Sequence, residues 1–157
     1  MIVSPRVLAT FVQQDERLLS SEYDVEIIAI SGLASIGRLK SAVRNADALF
    51  LWFLGRHAIP AILFAHLRRI PVVAVIGGFE VAWEEEIQYG IQPGSARDRL
   101  LGWMLRQMLA IVTVSRCSHN LAVGRFPTLS DRMILIHNAV DESVFSPSPT
   151  ASRSGVL

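Results

Sequence analysis

The chain has 157 residues, of which 51% are hydrophobic and 18% charged, with a formal net charge of +1. That length sustains one domain with a full core, and the near-neutral charge excludes the general electrostatic footprint of a nucleic-acid binder. A single cysteine, Cys117, excludes a disulfide framework and a cysteine-cluster metal site, and fits a reducing compartment.

Residues 1–10 include Pro5 and Arg6 and do not read as a secretory leader. The first predicted strand is 7–11, followed by a short helix over 14–21. Residues 25–30 read as the second strand. The next helix spans 36–45, with Leu39, Val43 and Ala46 at helical spacing. Residues 48–53 are continuously apolar, as in a buried strand, and 58–69 are apolar nearly all round, as in a buried helix. Pro60 is tolerated in that helix's first turn. Gly55, Arg56, His57 and Pro60 interrupt the apolar region 48–65, which therefore divides into strand and helix and does not form a membrane span.

Residues 72–76 form the fourth predicted strand, ended by Gly77 and Gly78. Glu84, Glu85 and Glu86 read as the solvated start of a helix, where acids are favourable. The clearest helix is 95–109. Ser95 and Asp98 resemble its capping box, and Leu100, Leu101, Met104, Leu105, Met108 and Leu109 lie on its apolar face. A fifth strand at 111–114, a helix at 118–123 and a sixth strand at 133–136 complete the domain. The Ser/Pro segment 146–154 reads as a flexible linker, and Gly155-Val156-Leu157 as the opening of a further strand.

Strand–helix alternation with β-branched strands predicts an α/β fold, a Rossmann-like doubly wound parallel sheet of about six strands. The apolar surplus fits a sheet buried on both faces, or a surface that meets a partner domain or a membrane. Ligands of such sheets sit beyond the carboxyl ends of strands. That rule selects the segments 12–13, 55–57, 77–80, 115–116 and 137–141.

No glycine follows the first predicted strand, so the fingerprint of a dinucleotide site is absent, as is a Walker A sequence. Gly77 and Gly78 permit close approach of a ligand. Glu80 then stands at a cleft mouth, where a carboxylate binds sugar hydroxyls or takes a proton; the alternative is a solvated acid after a tight turn. His57 suits hydrogen bonding to substrate or proton transfer near neutral pH, or else it starts a helix and is satisfied by backbone. His66 reads as structural, and His119 and His137 lack metal-ligand spacing. Ser115 reads first as a helix cap and lacks the context of a hydrolase nucleophile. Cys117 reads as a small buried residue. Arg68, Arg69 and the arginines of 95–109 form a solvated face that can also touch anionic lipid headgroups.

Val75-Ile76-Gly77-Gly78-Phe79-Glu80-Val81-Ala82, followed by Glu86-Ile87-Gln88-Tyr89-Gly90, resembles a stretch of the amino-terminal domain of GT-B glycosyltransferases, of the retaining group 1 or family 4-like type. Val112-Thr113-Val114-Ser115 resembles that family's strand ending in serine. Ile136-His137-Asn138-Ala139-Val140-Asp141, with Phe145 and Pro147, resembles its closing motif. The motifs occur in the family's order and cover most of the second half. Glu80 replaces the usual aspartate, Ala139 the common glycine, and the first loop lacks the Gly-Gly found near donor phosphates.

The resemblance implies retaining transfer of a sugar from a nucleotide sugar. It makes 1–145 the acceptor-side domain, and 146–157 a linker and the start of a carboxy-terminal domain that holds the donor. The chain is then expected to be inactive alone and to need no cofactor of its own. His57 and Glu80 are its expected catalytic residues; Gly77, Gly78, Ser115 and Asn138 are expected to bind substrate. The expected partners are a sugar or lipid-linked acceptor and, through the other domain, the nucleotide sugar. The expected location is cytoplasmic, with peripheral contact at the inner face of the membrane. Two alternatives stay open: a non-catalytic subunit that docks to a separate donor-binding chain, and half of a GT-B-fold sugar-nucleotide epimerase.

Overall fold

The computed structural model describes residues 1–5 and 10–139. The expected linker, the opening of the next strand, and Val140, Asp141, Phe145 and Pro147 lie outside the described residues. The chain order is β1 (Ile2–Pro5), α1 (Thr10–Leu19), β2 (Ile27–Ile30), α2 (Leu33–Val43), β3 (Leu49–Trp52), α3 (Ala58–Arg68) and β4 (Val72–Ile76). Then come β5 (Trp83–Glu84), β6 (Tyr89–Gly90), α4 (Ala96–Arg106), β7 (Ala110–Thr113), α5 (Arg116–Arg125), a 3-10 turn (Pro127–Arg132) and β8 (Met133–Leu135).

Six strands form one sheet in the order β2-β1-β3-β4-β7-β8, and all its pairings are parallel. The expected Rossmann-like α/β fold is thus present. Its first strand differs from the expectation of 7–11: β1 is Ile2–Pro5, and Thr10 and Phe11 already belong to α1. Residues 12–13, expected in a loop, are helical for the same reason. The short run Ile2-Val3 suffices as a central strand because it is paired on both sides, with Val3 opposite Ile28 and Leu51.

Right-handed crossovers decide which face each helix covers. The chain steps one way from β1 to β2 and the other way at every later strand. α1 therefore lies on one face, where Val12 packs with Ile2, Trp52 and Val75. α2, α3, α4 and α5 share the other, where Leu39, Ile62, Leu101, Leu105 and Ala122 join Val3, Leu51 and Ile111. Ser95 caps α4 by accepting from the Asp98 amide at 3.2 Å. Ser115 and Ser118 form a full capping box on α5. Some side-chain expectations fail. Cys117 is exposed in the first turn of α5. α3, expected to be buried all round, turns Leu63, His66 and Leu67 to solvent. Of the apolar face expected over 95–109, Leu100 and Leu109 are exposed, the latter because α4 ends at Arg106.

Glu84, Glu85 and Glu86 start no helix. They belong to an antiparallel hairpin in which Trp83 faces Gly90 and Glu84 faces Tyr89. Local backbone geometry overrides their preference for a helix start: Gln88 and Gly90 both have left-handed φ, 51° and 96°. A Cβ at Gly90 would collide with the Ala82 carbonyl. No helix among the described residues is long and apolar enough to cross a membrane. Gly90→Ala is expected to lower stability by about 2 kcal/mol, from left-handed strain and this clash. Gly124→Ala, with open space around it, should be neutral or stabilising. Urea midpoints of the two variants check the contrast, and an unchanged Gly90→Ala midpoint would contradict it.

Candidate functional site

The strand order changes direction between β1 and β3, which puts the topological switch point at their carboxyl ends. A cleft of about 610 Å³ opens there, walled by Phe53, Leu54, Phe79, Ile91, Leu100 and Met104. His57 and Glu80 both line it, and Arg56 and Arg97 stand at its edge. Two other hollows, of about 520 and 230 Å³, lie at the amino ends of the strands and beside the α3 carboxyl end. Neither meets the carboxyl-end rule.

Three features shape the strand ends at the cleft, of which Phe53 lines it and Gly77 and Gly78 lie behind the lining. Phe53 leaves β3 with φ of 63°, a left-handed conformation that costs a bulky residue about 1–2 kcal/mol. Its amide still donates to the Val75 carbonyl at 2.9 Å, and its ring packs edge-on against Phe11 and Trp52. Gly77 makes room for that ring, since a Cβ there would stand 2.9 Å from Phe53 Cε1. Gly78 turns the chain with φ of 126°. The strain therefore lies at the ligand end of the sheet, where such strain tends to collect.

Glu80 is 4% exposed. Its Oε1 accepts from the Leu54 amide at 3.3 Å, while its Oε2 is buried without a hydrogen-bond partner. Burial pushes its carboxyl above the usual carboxylate range; the neighbouring backbone amides of Glu80, Leu54, Gly78 and Gly77 pull the other way, but only that of Leu54 reaches hydrogen-bond geometry. This is not the solvated acid that a tight turn alone would predict. His57 opens α3 without capping it. Its Nε2 lies 3.1 Å from the Trp52 carbonyl. A carbonyl only accepts, so Nε2 carries the hydrogen and Nδ1 is left as an acceptor in the neutral ring. Burial lowers the His57 pKa, opposed by the Trp52 and Phe53 carbonyls, so the ring is neutral at neutral pH.

Arg125, which sequence reasoning did not single out, braces the backbone behind the cleft. Its guanidinium donates to the carbonyls of Val81 at 3.1 Å and Ile91 at 2.6 Å, more weakly to that of Glu80 at 3.4 Å, and pairs with Asp98 at 2.8 Å. The Asp98 carboxylate also accepts from the Gly94 amide at 2.7 Å, so it does not complete a capping box with Ser95. The only hint in the sequence was an acid inside the first turn of α4; the partners lie too far along the chain for spacing to reveal. Ser115 and Asn138 sit apart from the cleft lining. Ser115 is occupied with its capping box, and Asn138 is exposed beyond β8. Among the described residues, no three His, Cys, Asp or Glu side chains come together as metal ligands do.

No protein-family model matches the chain, and no curated protein matches it in sequence. In fold it resembles S. aureus MnaA, solved with UDP, at TM-score 0.56 and 11% identity. The match covers 87% of this chain and 43% of MnaA, so the chain spans less than half the length of that neighbour. At this identity the likeness is one of fold: a Rossmann-like half of a GT-B-like architecture.

The raised Glu80 pKa sets a pH dependence. The folded state holds this proton above the ordinary value of 4.5. The group's contribution to stability is therefore complete below that value and is lost as pH rises toward the folded pKa. Glu80→Gln should melt higher than the parent at pH 7.5, with the gap closing toward pH 4.5. A gap constant across that range in thermal melts would show that the carboxyl titrates normally. Arg125→Lys keeps the charge but loses the fork geometry, and should cost about 3 kcal/mol in urea unfolding. A loss below about 1 kcal/mol would fit an exposed pair instead.

Proposed function

We propose that the chain is the acceptor-side half of a glycosyltransferase that moves a sugar from a nucleotide sugar to an acceptor hydroxyl. The observation that carries this reading is that Glu80, whose Oε2 is buried without a partner, and His57 line one apolar cleft at the switch point. A buried oxygen without a partner is costly unless a ligand supplies one, and a sugar or other hydroxyl-bearing acceptor does so. His57 Nδ1 offers a second acceptor atom nearby, and Phe79 offers an apolar face for a sugar ring. Gly77 contributes by seating the Phe53 ring and Gly78 by turning the chain toward Glu80. The resemblance of residues 75–90 to the GT-B stretch supports the same reading. Its donor site is expected on a second domain.

In this reading the acceptor oxygen bonds to the anomeric carbon and the nucleoside diphosphate leaves with the electron pair of the broken bond. Glu80 orients the hydroxyl and, when ionised, receives its proton, burial making it a stronger base than an ordinary carboxylate. A second reading is favoured by the fold likeness to MnaA, which binds UDP in its structure: half of a sugar-nucleotide epimerase, which needs no acceptor.

The chain alone should turn over no nucleotide sugar. Joined to its donor-binding domain, Glu80→Gln should lower kcat at least 100-fold with KM changed only a few-fold, and His57→Asn should mainly raise KM. Product analysis by mass spectrometry separates the readings. Activity retained within twofold in Glu80→Gln would sink the assigned role, and epimer formation without acceptor would select the second reading.

A further inference from the structure

The formal net charge of +1 conceals a separation of charge. Residues 10–26, which contain α1 and lead to β2, carry five acids and one cation, Arg17. Residues 31–69, which contain α2 and α3, carry six cations and one acid, Asp47. α4 adds Arg97, Arg99 and Arg106, and its one acid, Asp98, is already paired with Arg125. α1 lies on one face of the sheet and α2, α3 and α4 on the other. The two helical layers are therefore opposite in sign.

The basic layer also exposes apolar side chains. Leu63 is 48% exposed and Leu67 77%, one turn apart on α3. α3 contains no acid. Arg68 donates to the Arg44 carbonyl at 3.5 Å, which ties the carboxyl ends of α2 and α3 together. Lys40, Arg44, Arg68 and Arg69 are exposed there. Leucines set among cations are the pattern of a surface that lies in a lipid headgroup layer. A single-stranded nucleic-acid surface would instead offer aromatic faces for stacking.

We propose that the α2–α3–α4 face docks on a bilayer containing anionic lipid. Leu63 and Leu67 enter the headgroup region, and the cations of the three helices lie over lipid phosphates. Arg56 and Arg97 border the cleft, so docking brings the cleft edge to the membrane surface. The inference rests on the charge and apolar pattern of this layer and not on the reaction proposed above, so either can fail without the other.

The test is co-sedimentation of the chain with vesicles of phosphatidylcholine alone and of phosphatidylcholine with phosphatidylglycerol, at low and high salt. Binding is expected only to the anionic vesicles, and it should weaken as salt rises. Arg68→Gln with Arg69→Gln should weaken partition about 25-fold, about fivefold for each cation. Leu63→Ser with Leu67→Ser should weaken it at least tenfold. Both leucines are exposed, so the fold should survive, and circular dichroism checks this. Glu22→Gln with Glu26→Gln, on the acidic side, should leave partition unchanged. Equal binding to neutral vesicles, or partition unaffected by the leucine pair, would overturn the proposal. Tighter binding to single-stranded RNA that survives the leucine substitutions would overturn it in favour of nucleic acid.

Discussion

One guanidinium holds the back of the cleft. Arg125 reaches from the last turn of α5 to the backbone of residues 80–81, to Ile91 at the exit of the hairpin, and to Asp98 in the first turn of α4. Three segments with little regular structure between them are thereby fixed to a rigid helix. The side chain is 11% exposed and that of Asp98 18%, so their attraction is poorly screened. The same burial makes the contact demanding. A half-satisfied buried guanidinium is worse than an apolar side chain, and here the carbonyls and carboxylate supply acceptors around its whole fork. Without this clamp the 77–91 excursion would be held mainly by its two-residue ladder, which is marginal by itself.

That fixed backbone allows Glu80 to be buried. Its carbonyl faces Arg125 while its carboxyl turns inward to the Leu54 amide. The chain thus holds an acid in a place that disfavours its charge, an arrangement that costs stability at neutral pH. Phe53 adds a second local cost, its left-handed backbone. Both sit at the carboxyl ends of β3 and β4, where a doubly wound sheet binds ligands. The rest of the domain, with its close-packed parallel sheet, offsets them. Such concentration of strain and unsatisfied polarity in one cleft is the pattern of a binding site.

The two sides of the sheet are unequal. Four described helices cover one face and α1 alone covers the other, where Val112 is half-buried and Ile134 and Ile136 are 48% and 54% exposed. The cause is topological: only the step from β1 to β2 runs against the direction of the rest. The apolar surplus seen in the composition therefore lies in the buried core, on this lightly covered face and at the exposed leucines of α3.

The sequence by itself determined the elements whose signal is local. Val72–Ile76 is a strand in both readings, Ser115 and Ser95 cap the helices they precede, and strand–helix alternation specified a parallel α/β sheet. These follow from periodicity and capping chemistry, which act within a few residues. Weaker local signals misled: a strand at 7–11 instead of Ile2–Pro5, a helix start at the three glutamates, a buried Cys117 and an apolar face that ran on to Leu109. The strand-end rule already set His57 and Glu80 at one end of the sheet; the tertiary structure alone decided that Glu80 is buried, that Arg125 braces the backbone beside it, and that the two helical layers differ in sign. Each depends on contacts between residues far apart in the chain, 26 positions for Leu54 and Glu80 and 27 for Asp98 and Arg125. Burial and electrostatic environment are set by all the neighbours that packing assembles, and no short window of sequence contains them.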